Sequence, residues 1–167
     1  MVSSSAGQVL SFLSTEWRWG SAVEELLAYA VLLGEGFEIG ERYERRLDEL
    51  FLASPEDRDL LELELLSWNW KASNIYIRSH VDYSALDRRR FGGALMEVLK
   101  PVYESMEVQE FASRAFQVWE GLPGNLQGEE PFWALSLGDY PGAREAERYM
   151  RGVYRWMLYY YDPCVSM

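Results

Sequence analysis

Hydrophobic residues recur at intervals of three and four positions along most of this chain, and this spacing constrains the fold more than any other feature. In residues 39–52 the apolar side chains fall on one side of a helix and the charged side chains on the other. Six further segments have the same periodicity: residues 8–17, 21–33, 59–70, 84–99, 102–120 and a last one ending near residue 160. The pattern predicts an all-α fold, a bundle of about six or seven helices.

Three of these segments begin with serines at helix-capping positions. Ser21 is followed three residues later by Glu24, which is the capping-box pattern, and Ser84 begins a similar sequence. Ser54 precedes Pro55 and a run of acidic residues, an arrangement typical of a helix start. We therefore predict that Ser21, Ser54 and Ser84 cap helices.

Glycine and proline mark the predicted helix ends. Gly34 and Gly36 are expected to end the helix over residues 21–33, and Pro101 is expected to end or kink the helix before it. Only the first turn of residues 21–33 is charged, so this helix is predicted to be the central, buried one.

Residues 74–81 are the ambiguous segment. Ile75 and Ile77 alternate with polar neighbours, so one short extended segment is the alternative to a helix here. A lone strand would have no partner, which favours the helix. Because the chain has 167 residues and no linker or repeat divides it, we predict that residues 1–167 form a single helical domain.

The negative charge is concentrated in the first two-fifths of the chain. The net charge is −11; residues 1–64 hold 14 acids against five arginines, whereas residues 65–167 hold 13 acids against 11 bases. This charge argues against nucleic acid and anionic membranes as partners and favours a basic protein. The residues predicted to bind that partner are Glu35, Glu38, Glu41, Glu44, Asp48, Glu56, Asp57, Asp59, Trp68 and Trp70.

The two tryptophans belong to this prediction because of their spacing. Residues two apart on a helix point in different directions, so Trp68 and Trp70 cannot both enter one core. In the predicted helix over residues 59–70, Leu61, Leu65 and Trp68 line one face, whereas Leu63, Leu66 and Trp70 line the next. Exposed tryptophans are common anchors of protein interfaces.

The sequence offers little for catalysis. It has one histidine, His80, and one cysteine, Cys164, whereas nucleophilic triads and zinc sites need more such residues at suitable spacing. It contains no Glu-x-x-His pair and no glycine-rich phosphate loop. We therefore expect no metal and no cofactor. The lone cysteine and the absence of a signal-peptide or membrane-spanning pattern favour a cytoplasmic protein with no membrane contact.

These observations favour a non-enzymatic acidic protein that masks a basic partner, such as a toxin or nuclease, in the manner of a bacterial immunity protein, antitoxin or inhibitor. Three alternatives remain open. One is a regulatory or structural subunit that oligomerises through its C-terminal aromatic helix. Another is an enzyme or small-ligand domain with an aromatic pocket near His80, Tyr76 and Arg78. The third is an inhibitor that mimics nucleic acid with its surface carboxylates.

Overall fold

The computed structural model describes residues 22–129 and 132–138, together with residues 148, 151 and 152. Seven α-helices and one 3₁₀ helix make up the first two ranges, which contain no strand. The α-helices are α1 (Val23–Gly34), α2 (Gly40–Ala53), α3 (Arg58–Leu66), α4 (Trp70–His80), α5 (Arg88–Ser105), α6 (Val108–Gly121) and α7 (Gly124–Gln127), and the 3₁₀ helix spans Phe132–Gly138. The prediction of an all-α fold is thereby confirmed.

Some of the predicted features lie outside the described residues. These are the helix over residues 8–17, the cap at Ser21, Cys164 and most of the helix that ends near residue 160. The alternative of an extended segment at residues 74–81 is wrong, because α4 runs through nearly all of it. No helix in the described ranges combines the length and apolar character that crossing a membrane requires.

Helix α1 is the centre of the described core, as its sequence predicts. Every residue from 26 to 33 is buried, so the helix is covered on all sides. Helices α4 and α5 pack along it, and α2 and α6 contact it as well. The exposed surface of the described fold is therefore formed mainly by the helices that surround α1.

A Schellman motif ends α1. Gly36 has a positive φ of 78°, which glycine adopts at little cost. The N–H of Gly36 donates to the carbonyl oxygen of Leu33 at 3.2 Å, and the N–H of Phe37 donates to that of Leu32 at 3.1 Å. Phe37 is buried beside the helix end. The prediction that Gly34 and Gly36 end this helix agrees with these bounds.

Aspartates, rather than the predicted serines, cap two helices. The Oδ1 atom of Asp57 accepts hydrogen bonds from the backbone N–H groups of Asp59 and Leu60, at 2.9 and 3.3 Å. Asp87 caps α5 in the same manner. Ser54 instead begins a turn that closes when the N–H of Asp57 donates to its carbonyl oxygen. The predicted caps at Ser54 and Ser84 are therefore wrong, because each helix begins three residues later.

Two other predicted boundaries differ from the structure. Helix α3 ends at Leu66, and Asn69 caps α4 by accepting the N–H of Ala72 at 3.3 Å, so residues 59–70 are not one helix. Pro101 lies inside α5, which continues to Ser105. Pro101 and Glu97 are exposed, so water can hydrate the Glu97 carbonyl that lacks an N–H partner.

We expect Asp57→Ala to lower the free energy of unfolding by about 1 kcal/mol, because two backbone N–H groups of α3 lose their acceptor. Ser54→Ala should change it by less than about 0.5 kcal/mol. Urea unfolding of both variants measures the difference, and Asp57→Asn, which keeps the acceptor, is the matched control. A larger loss for Ser54→Ala than for Asp57→Ala would contradict this assignment of the cap.

The 3₁₀ helix packs closely on α6. A Cβ atom built on Gly138 would lie closer to the carbonyl oxygen of Ala112 than real Cβ atoms come, and 3.3 Å from the backbone nitrogen of Phe116. Trp119 and Gln127 close the connection between these elements: the Trp119 Nε1 donates to the Gln127 carbonyl at 2.9 Å, and the Gln127 amide donates to the Trp119 carbonyl at 3.0 Å.

Candidate functional site

Helix α2 presents a strip of carboxylates to solvent. Glu41, Glu44 and Asp48 are exposed, and their spacing of three and four residues places them on one side of the helix. Glu38, just before the helix, is exposed as well. Three of the residues predicted to bind a partner thus lie on one side of α2.

Two of the arginines of α2 point away from this strip. Arg42 donates to the carbonyl oxygen of Val98 in α5 at 2.8 Å. Arg46 forms two bonds to Glu25 in α1, of 2.7 and 3.0 Å, and one to Glu49 of 2.8 Å. Arg45 is exposed one turn after Glu41. The guanidinium groups of Arg42 and Arg46 therefore bind groups outside the strip, and among the described residues no cationic side chain forms an ion pair with Glu44 or Asp48.

The acidic strip continues onto α3 through Glu64. Burial is the main cause that raises the pKa of Glu64, and the nearby Asp48 carboxylate raises it further. The Oε1 atom of Glu64 is buried and has no hydrogen-bond partner among the described residues. Helices α2 and α3 therefore meet at a pair of carboxyl groups, those of Asp48 and Glu64.

An apolar stripe lies beside Glu64 on α3. Leu61, Leu65 and Trp68 follow one another at intervals of four and three residues, and all three are exposed, Leu65 by 62% and Trp68 by 80%. The Trp68 Nε1 donates to the carbonyl oxygen of Leu65 at 3.0 Å, which holds the indole against the end of the helix. We call Glu44, Asp48, Leu61, Leu65 and Trp68 together the acidic–apolar face.

Sequence reasoning identified three members of this face and missed two. The sequence predicts that Leu61 and Leu65 share one side of a helix, but it does not predict that this side is exposed. The signal was present: α3 has apolar residues on two sides, and Leu60 and Leu63 already fill the side that faces the core. A short helix with a second apolar side has more hydrophobic surface than one core contact can cover.

The remaining predicted residues have other positions and contacts. Glu35 is half-buried at the end of α1, where burial raises the pKa of its carboxyl group. Asp57 caps α3, and Glu56 is exposed in the preceding turn. Trp70 begins α4 partly exposed, with the Nζ atom of Lys71 5.7 Å from its ring centroid. These residues surround the acidic–apolar face or lie apart from it.

Asp59, Tyr76 and His80 form a cluster between α3 and α4. The Tyr76 hydroxyl donates to Asp59 Oδ1 at 2.8 Å, and its ring stacks on His80 with centroids 4.1 Å apart. Burial first, and then the Asp59 carboxylate, raise the pKa of Tyr76 to about 12. The exposed His80 has its Nδ1 atom 2.8 Å from the Tyr76 carbonyl oxygen.

Arg78 is not part of this cluster. Its guanidinium donates to Asn74 Oδ1 at 2.8 Å and to the carbonyl oxygen of Gly121, the last residue of α6, at 3.0 Å. The pocket predicted from Tyr76, Arg78 and His80 would need all three side chains on one side of α4. The described geometry separates Arg78 from the other two.

We expect Glu64→Gln to stabilise the protein at neutral pH. The pKa of Glu64 is higher in the folded than in the unfolded chain, so folding loses stability as pH rises from the unfolded pKa through the folded one. The variant removes this loss, so its free energy of unfolding at pH 7 should be higher than that of wild type, and the difference should disappear as the pH falls below the unfolded pKa of a glutamate. Urea titrations across this range test it. The exposed Glu62→Gln is the control; a pH-independent effect of Glu64→Gln would contradict the expectation.

The comparisons with known proteins do not identify a relative. No protein-family model matches this chain, and neither a curated protein nor a solved structure is significantly similar to it. Within the described ranges, no group of three or more histidine, cysteine, aspartate or glutamate side chains is arranged to hold a metal ion. The case for a function therefore depends on the surface of the molecule.

Proposed function

We propose that this chain is a non-enzymatic binding protein that masks a basic protein partner, in the manner of a bacterial immunity protein, antitoxin or inhibitor. The observation that carries the proposal is the acidic–apolar face, in which the α2 carboxylates and the side chains of Leu65 and Trp68 are all exposed on two helices that pack together and on the turn after them. An apolar centre with a charged margin is the usual anatomy of a protein interface.

The two halves of the face would have different roles in binding. Carboxylates exposed to solvent contribute long-range attraction, which raises the association rate of a basic partner and weakens as salt is added. A tryptophan buried on binding contributes most to how slowly the complex dissociates. Both roles need a rigid support, and the packing of α2 and α3 through the buried Tyr43, Leu47 and Leu63 provides one.

Charge reversal tests the acidic half. Glu44→Lys with Asp48→Lys changes the net charge from −11 to −7, and Glu104→Lys with Glu120→Lys, at exposed sites on α5 and α6, changes it equally. Proteins captured from a lysate of the source cells by wild type are identified by mass spectrometry, and the purified candidate is titrated against each variant by calorimetry. We expect the first variant to weaken binding by at least about tenfold and the control by less than about twofold.

The salt dependence gives a second readout. Raising the ionic strength should weaken partner binding by the wild type. It should also reduce the difference in affinity between the wild type and Glu44→Lys with Asp48→Lys, because salt screens the attraction that these substitutions remove. An acidic partner, or equal weakening by both double variants, would overturn the proposal.

Self-association through the apolar stripe is a second candidate, because Leu61, Leu65 and Trp68 are exposed together. Two copies of the face would bring their carboxylates close together, and that repulsion opposes a dimer at low salt. Light scattering at low and high salt separates the candidates: a dimer that forms at both and dissociates on Leu65→Ser would favour self-association.

A further inference from the structure

A cleft of about 510 Å³ opens between α1, α2 and α5. Four carboxylates line it, those of Glu24, Glu25, Glu49 and Glu97. Arg46 is the cation among its lining residues. The volume is within the range of small-molecule sites, roughly 300–1,000 Å³.

The charges in this cleft do not balance. Arg46 binds the carboxylates of Glu25 and Glu49, at 2.7 to 3.0 Å. Within the described part of the chain, no cationic side chain forms an ion pair with Glu24 or Glu97. Among the described residues, the carboxylates of Glu24 and Glu97 therefore have no counter-charge.

Glu24 is the more unusual of these two, because it is 6% exposed. Its Oε1 atom accepts the backbone N–H of Asp87 in a long bond of 3.4 Å. Its Oε2 atom is buried and has no hydrogen-bond partner among the described residues. A buried carboxylate oxygen without a donor is costly, so a ligand that supplies an N–H group there would be favoured.

We propose that the cleft binds an organic cation with a guanidinium or primary ammonium group, which donates to Glu24 and is flanked by Glu97. Tyr29 and Ala94 are the uncharged residues of the lining, which is otherwise formed by charged side chains. This chemistry has two sources: a free polyamine-like molecule, or an arginine or lysine side chain of the basic partner. The second source rests on the proposed function, and the first does not.

Small organic cations test whether the cleft binds a cation in the absence of a protein partner. Spermidine and arginine amide are titrated into the full chain by calorimetry and by amide chemical-shift changes. We expect saturable binding that weakens by about tenfold or more in Glu24→Gln with Glu97→Gln, and stays within about twofold of wild type in Glu104→Gln with Glu120→Gln. Ala94→Arg, which places a guanidinium on the cleft wall, should abolish probe binding and raise the melting temperature.

Binding measurements with the captured partner distinguish the two sources of the cation. If neither probe binds but the Glu24/Glu97 variant and Ala94→Arg both weaken the captured partner by about tenfold, the cation is a partner side chain. If a probe binds equally well to the Glu24/Glu97 variant, or if neither probes nor partner respond to any cleft variant, the inference is overturned. The probe result stands whether or not the acidic–apolar face binds a protein, so the two proposals can fail separately.

Discussion

Gly138→Ala should lower the free energy of unfolding by about 3 kcal/mol, because its methyl group would overlap the carbonyl oxygen of Ala112. The obstacle is helix backbone, which cannot move aside as a side chain can. The 3₁₀ helix and α6 would have to separate and expose Phe132 and Leu135, both buried now. For a chain of 167 residues the melting temperature should fall by roughly 6–12 °C.

Gly93→Ala is the matched control for this experiment. Gly93 lies within α5, and a Cβ atom built there has no neighbouring atom within 4 Å. Alanine should therefore stabilise the helix, by up to about 1 kcal/mol. Calorimetric melting of both variants gives opposite signs if the packing of the 3₁₀ helix on α6 is as described. Equal shifts for both variants would contradict it.

Trp68→Ala should weaken binding of the basic partner by about 30-fold, or about 2 kcal/mol, because the indole is the largest exposed apolar group of the acidic–apolar face. The side chain is 80% exposed, so the free energy of unfolding should change by less than about 0.5 kcal/mol. A loss of affinity without a loss of stability identifies a contact residue rather than a structural one.

Ile75→Ala is the control for Trp68→Ala. Ile75 is 71% exposed on α4 and is not part of the acidic–apolar face, so its removal should leave partner binding within about twofold of wild type. Surface plasmon resonance adds a kinetic readout: Trp68→Ala should raise the dissociation rate, whereas Glu44→Lys with Asp48→Lys should mainly lower the association rate. Equal affinities for Trp68→Ala and Ile75→Ala would remove the apolar half of the proposed interface.

Helix starts illustrate how far local sequence predicts structure. Ser54 and Asp57 both have side chains that cap helices well, and both stand before the apolar run of α3. The choice between them depends on whether the chain around Pro55 enters the helix or makes a turn first. The structure has the turn, closed by the backbone bond from Asp57 to Ser54. Propensity alone does not distinguish the two, because both local conformations are favourable.

The acidic–apolar face was only partly predictable from the sequence, because part of it depends on contacts between distant residues. The excess of acids over arginines in residues 35–64 is visible in the sequence, and so is the fact that Trp68 and Trp70 cannot share one core. The directions in which Arg42 and Arg46 point are not visible, because their partners, Val98 and Glu25, are distant along the chain. Those long-range contacts decide which carboxylates of the described residues form an ion pair with an arginine.

The sequence by itself determined that the described chain is helical, that α1 is its buried centre and that the negative charge collects around α2 and α3. Each of these follows from spacing or composition within one segment. The tertiary structure alone decided that Leu61 and Leu65 face solvent and that Glu24 is buried in a cleft. Exposure and counter-charge depend on which helices pack together, and that is set by contacts between residues far apart in sequence.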